Sequence, residues 1–145
     1  MATGGLTFFG QGSGAVTYAP YTDPTFTLNE MAGDLWYVSA PVNHDSKALA
    51  DGTGWLAQVT PDRLLAVVSY PDLDPAAAAP GEAEVEVYTD GEYVEIEQQG
   101  AFVTLGPGDT SAGTVRWKLR RVPGGTAIAA GSADLASFAA ATLAE

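Results

Sequence analysis

A chain of 145 residues, 46% hydrophobic and only 17% charged, has the composition of one folded domain with a core and is too short for two ordinary ones. Six Lys and Arg against 18 Asp and Glu give a net charge of −12, which repels nucleic-acid phosphates and anionic membrane surfaces alike. Without cysteine there are no disulfides, thiolate metal sites or thiol nucleophiles.

No apolar run approaches the ~20 residues that span a bilayer. No basic, then apolar, secretory pattern opens the chain, so a cytoplasmic location is the expectation. Residues 1–14, rich in glycine at Gly4-Gly5 and from Gly10 to Gly14, are expected to be a flexible segment around a short strand-like run, Leu6-Thr7-Phe8-Phe9. The glycines lack the strand-to-helix setting of a phosphate-binding loop. Ala15 to Tyr18 and Leu35 to Val38 read as further short strands between turn residues.

Pro41 to Thr53, which contains His44, the one histidine, lacks periodicity and is expected to be a loop. Gly54 to Thr60 and Arg63 to Tyr70 read as strands joined at Pro61-Asp62, the second apolar enough to be covered on both faces. Pro71 to Gly81 holds three prolines, each removing a ladder donor, and is expected to be a surface connection. At the end of the chain the spacing predicts a helix over 132–144, capped by Ser132, with Leu135, Phe138, Thr142 and Leu143 on one face. The expected fold class is all-β, an antiparallel β-sandwich with this one short helix.

Between the proline-rich connection and the helix lies the segment that carries the functional question. Asp90-Gly91 between two alternating runs predicts a hairpin with a two-residue turn. That register pairs Tyr88 with Tyr93, Glu86 with Glu95 and Glu84 with Glu97 on one face, and puts Val85, Val87, Val94 and Ile96 on the other. Like charges directly opposite each other destabilise a sheet by up to about 1 kcal/mol per pair, so this carboxylate ladder needs a reason.

Three readings stand. A strand over 114–121 would turn Val115, Trp117 and Leu119 to the core and Arg116, Lys118 and Arg120 to the other side; paired beside Glu92 to Gln98, it would neutralise the ladder as a solvated salt-bridge surface. Several carboxylates on one face could instead hold a hard cation, although no calcium-loop spacing accompanies them. Finally, a tyrosine-edged polar face suits a saccharide, which stacks its C–H groups on aromatic rings and gives its hydroxyl protons to carboxylates. No Ser-His-Asp arrangement is recognisable, and Gly106-Pro107-Gly108-Asp109 reads as a tight turn.

The residues Glu84 to Thr89 and Tyr93 to Gln99, then Leu105-Gly106-Pro107-Gly108-Asp109 and Val115-Arg116-Trp117-Lys118-Leu119, together resemble a bacterial family of unknown function allied to the galactose-mutarotase-like superfamily. Gly54-Trp55-Leu56-Ala57 and Tyr70-Pro71-Asp72 fit the same pattern. The resemblance implies a sandwich corresponding to the carboxy-terminal portion of that superfamily and a carbohydrate-associated function with no cofactor or metal. Glu97, in Glu97-Gln98-Gln99, falls where sugar mutarotases carry their general base. With it, the lone His44 would be the acid that an aldose epimerase needs. Glu84 and Glu86 would raise the base and Arg116 or Lys118 would lower it. Without the family's histidine set, the chain is expected to bind a saccharide on Tyr88, Tyr93, Glu95, Glu86 and Arg116 rather than to turn it over. A purely structural or interaction domain is the alternative. Unpaired sheet edges in a reduced sandwich would favour a homodimer.

Overall fold

The computed structural model describes residues 5–40 and 42–145. Among these the strands, in chain order, are β1 (Leu6–Gly10), β2 (Thr17–Tyr18), β3 (Asn29–Met31), β4 (Asp34–Val38), β5 (Ser46–Ala50), β6 (Trp55–Val59), β7 (Leu64–Ser69), β8 (Val85–Thr89), β9 (Val94–Gln98) and β10 (Arg116–Arg121); helix α1 (Ala133–Ala144) ends the chain. Every strand pairing is antiparallel. Six strands form one sheet in the order β10-β7-β6-β1-β4-β3, and four form a second in the order β2-β5-β8-β9. The fold is the expected all-β sandwich with one short carboxy-terminal helix.

Period-2 alternation explains the layers. In the larger sheet Phe9, Leu35, Tyr37, Leu56 and Val68 face the smaller sheet, where Ala48, Ala50, Val85, Val87 and Val94 meet them, with Phe26 and Leu28 closing one side. The alternate residues Phe8, Trp36, Ala57, Leu65 and Val67 point the other way and are covered by Leu135 and Ala139 of α1 and by Val122. Phe8 stacks on Trp36 with ring centroids 4.3 Å apart, and the Trp36 indole donates to the Met31 carbonyl at 2.9 Å. Ser132 caps α1 as its position predicts, its hydroxyl accepting from the Leu135 amide at 3.3 Å.

Four local expectations are corrected. The run Leu6 to Phe9 forms the expected strand, β1, but as a fully buried central strand extending to Gly10 and not as part of a flexible segment; residues 1–4 lie outside the described residues. Gly10 is required there because a Cβ would come within 2.0 Å of the Thr53 hydroxyl. Within the expected loop from Pro41 to Thr53, Ser46 to Ala50 form β5, whose small buried residues, Ser46, Ala48 and Ala50, carry little strand propensity in the sequence.

The hairpin of β8 and β9 closes with four residues, Asp90 to Tyr93, rather than two: Asp90 Oδ1 accepts from the amides of Glu92 (2.8 Å) and Tyr93 (3.2 Å), and Gly91 supplies a φ of +92°. The slip is by two residues, so every side chain keeps its expected face while its partner changes: Tyr88 opposes Glu95 and Glu86 opposes Glu97. Lastly, β10 pairs with β7 in the larger sheet, not with β9, and Trp117 and Leu119 are 57% and 54% exposed instead of core. The turn at Gly106–Asp109 forms as expected, the Asp109 amide donating to the Gly106 carbonyl at 3.1 Å and Gly108 at φ +92°.

Because Leu135 is fully buried between α1 and the larger sheet, Leu135→Ala should lower unfolding free energy by about 2–5 kcal/mol in urea denaturation followed by circular dichroism. A loss below about 1 kcal/mol would mean that α1 adds little cover to this face.

Candidate functional site

The side of the smaller sheet that faces away from the core carries Lys47 and Leu49 from β5, Glu86 and Tyr88 from β8, and Glu95 and Glu97 from β9. The expected glutamate ladder is dismantled into separate environments. Glu84, one residue before β8, is buried under the turn between β5 and β6, where its carboxylate accepts from the amides of Gly52 (3.1 Å) and Gly54 (2.9 Å). Burial raises its pKa against those two donors, and Asp72 and Asp51 add to the rise. Glu84 is a clamp on a turn.

Glu86 is fully buried and ion-paired with Lys47, the residue that stands opposite Tyr88 on the neighbouring strand. Burial alone would raise Glu86, but the Glu82 carboxyl and Lys47 override it and hold it below the ordinary carboxylate range. Glu82 is pushed up in turn, chiefly by its hydrogen bond to Glu86. Both carboxylates are thereby engaged with each other and with Lys47. Glu95 and Glu97 remain on the open face, partly to fully exposed.

At the hairpin end of this face Tyr88 and Tyr93 form a tilted aromatic pair, ring centroids 6.1 Å apart at 54°. Burial first, then Asp45, hold the Tyr88 phenol up at about 12. Burial and Glu95 raise Tyr93 in the same way, so both hydroxyls stay protonated as donors at neutral pH. Asp45 reaches this position because its loop is tied down by Asp23. The Asp23 carboxylate accepts from the Asn43 amide at 3.0 Å and from the Thr25 amide at 2.8 Å, and its own amide donates to the Ser46 hydroxyl at 2.9 Å. These backbone bonds hold Asp23 at about 2.

The seven-residue set expected from the sequence is thus brought together in part. Tyr88, Tyr93 and Glu95 converge, Glu97 lies one turn of the pleat further along β9, and Glu86 is sequestered beneath the face by Lys47. Asp45 beside Tyr88 and Lys47 beside Glu86 share this face and were not among the expected residues, because β5 was hidden in an apparent loop. Arg116 is not part of the site: it pairs with Ser69 in the opposite sheet.

His44 is exposed, its Nδ1 3.1 Å from the Asp45 carbonyl, and with Tyr21 and Asp45 it lines an open hollow. The register keeps it from Glu97. Glu97 is level with Leu49 across β8, so even Ser46, where β5 begins, is about 10 Å along the strand and about 10 Å across the sheet from it, at ~3.3 Å per residue and ~4.8 Å per strand. His44 precedes Ser46. An acid and a base for one anomeric centre must both be within hydrogen-bond reach of the same sugar ring.

Among the described residues, no cluster of three or more His, Asp or Glu is arranged to hold a metal ion, and no helix is long and apolar enough to cross a membrane. Comparison with protein-family models, curated proteins and solved structures gives no match.

Two consequences of this charge arrangement are measurable. In Lys47→Met the buried Glu86 loses its cation; the variant should be about 3–5 kcal/mol less stable than wild type at pH 7, and the gap should narrow at acid pH as Glu86 becomes protonated, in paired urea titrations. A pH-independent gap would mean that lost packing, not the charge, is responsible. Asp23 titrates at about 2 when folded against an ordinary 3.8, so it stabilises the fold above 3.8 and that contribution is lost as pH falls through this window. Asp23→Asn lacks the titration, and the stability difference from wild type should shrink between those two values.

Proposed function

We propose that this chain is a saccharide-binding module whose site is the outer face of the smaller sheet at the β8–β9 hairpin. The observation that carries the reading is the tilted Tyr88–Tyr93 pair flanked by Asp45 and Glu95 on an open surface. Aromatic rings offer their faces to the C–H groups of a pyranose, and the carboxylates accept its hydroxyl protons. The protonated phenols add donors. The prevailing negative charge favours neutral sugars over uronic acids.

Binding without turnover is favoured over an epimerase, because His44, the acid that Glu97 would need, precedes β5, whose first residue, Ser46, is already about 10 Å along the strand and about 10 Å across the sheet from Glu97. The resemblance of Glu84 to Leu119 to the galactose-mutarotase-like superfamily supports the same substrate class, with the chain as a binding relative of those enzymes.

Ligand-observed NMR with a panel of aldoses tests the proposal. Saturation transfer to at least one neutral aldose is expected, lost in both Tyr88→Ala and Tyr93→Ala, with no acceleration of exchange between the α and β anomers. Accelerated exchange abolished by Glu97→Gln would replace the binding reading with the epimerase. No saturation transfer to any sugar would remove the saccharide function altogether.

A further inference from the structure

Strand β10 is the edge of the larger sheet, and its two faces are treated unequally. On the side shared with Val67 and Leu65, Lys118 donates to the Leu143 carbonyl at 2.7 Å and Arg120 pairs with Glu145, so α1 covers that face. On the other side Trp117 and Leu119 stand level with Val68 and Ala66 and point toward the space between the sheets. Yet Trp117 and Leu119 are more than half exposed. Among the described residues the smaller sheet, two strands narrower, has no strand to lay over them.

The edge of the smaller sheet on this side is β9. Gln98 and Gly100 at its end and Thr114 and Val115 at the start of β10 line one cleft of about 520 Å³, and β2, the other edge, lies against Phe26 at the far side. One flank of the sandwich therefore presents two unpaired edges. The outward side chains of β9, Glu95 and Glu97, are anionic, whereas β10 holds four of the six cations in the chain, Arg116, Lys118, Arg120 and Arg121. The chain leaves β9 and enters β10 at the same end of the sandwich, so the two strands run in opposite directions.

We propose that a second copy of this chain docks on this flank, β10 of each copy pairing antiparallel with β9 of the other about a two-fold axis parallel to the strands. That rotation exchanges the layers, which sets the larger sheet of one copy beside the smaller sheet of its partner. Each sheet continues across the joint. The free backbone donors and acceptors of both edges are satisfied. Arg116 and Arg120 then lie on the same outer face as Glu95 and Glu97 of the other protomer, one opposite-charge pair directly across the strands and the other on the diagonal. Trp117 and Leu119 of the two overhanging strands meet in the extended interior. The arrangement is self-complementary, as a closed two-fold interface requires, and the local opposite charges offset the repulsion between two chains of net charge −12.

Sedimentation equilibrium on the full chain tests this. Wild type should sediment as a concentration-dependent species of twice 14.9 kDa, and Trp117→Lys, at an exposed position that leaves the monomer folded by circular dichroism, should sediment as monomer. Charge reversal tests the pairing itself. Arg116→Glu with Arg120→Glu, and separately Glu95→Lys with Glu97→Lys, should each be monomeric alone, because each homodimer would oppose like charges. An equimolar mixture of the two double variants should restore the dimer, since both joints are then complementary. Monomeric wild type at all concentrations, a dimer that survives Trp117→Lys, or a mixture that fails to associate would overturn the proposal; in the first case the flank would belong to a different partner.

Discussion

Phe8 and Trp36 stack on one face of the larger sheet while Phe9, Leu35 and Tyr37 project from the same two strands onto the other, so this sheet has two apolar faces to hide. Burial of aromatic and aliphatic side chains on this scale, at roughly 25 cal/mol per Å² of apolar surface, is the dominant favourable contribution to the fold. The four-stranded sheet covers one face and α1 the other. Most other features are conditions for that three-layer arrangement. Ser132 starts the helix where it must begin, and Arg63 donates to the carbonyls of Val122 (3.2 Å) and Thr126 (2.6 Å), fixing the chain between β10 and α1.

The covering layers do not match the sheet in width, and this mismatch shapes both surfaces of interest. Four strands cannot cover six, so β10 is left with α1 on one side and solvent on the other. Meanwhile no helix among the described residues lies over the outer face of the smaller sheet, which is free to carry polar groups. There a tyrosine pair, the exposed Glu95 and the half-buried Glu97 coexist with a Lys47–Glu86 ion pair whose carboxylate is fully buried. The buried pair gains its stability only as a unit, because either charge alone would be desolvated without compensation. Glu84 follows a different solution to the same problem, with two backbone amides in place of a cation.

Much of this was legible along the chain. The strand runs of β6 and β7, the proline-rich connection, the Gly106–Asp109 turn and the Ser132-capped helix all have local chemical causes, and local causes are what a sequence displays. The face on which each hairpin residue lies was also readable. Parity survives a two-residue slip, although the Asp90 side chain chose a longer turn than Asp90-Gly91 suggested. β5 was not legible, since Ser46, Ala48 and Ala50 are small in order to fit beneath neighbouring strands, and smallness leaves no hydrophobic signature.

By itself the sequence determined the class of the fold, an antiparallel sandwich with one helix, and the residue types that meet on the hairpin, Tyr88, Tyr93, Glu86, Glu95 and Glu97. Which of those carboxylates is buried, which is exposed, and which cation answers them was decided only in three dimensions. The cations of β10 looked like the natural partners of the hairpin, but they are carried into the other sheet by pairing with β7, and Lys47 takes their place. The reason is physical: alternation along a strand fixes which way a side chain points, whereas the neighbour it meets depends on strand order, and strand order is set by how the two sheets and the helix jointly bury their apolar faces.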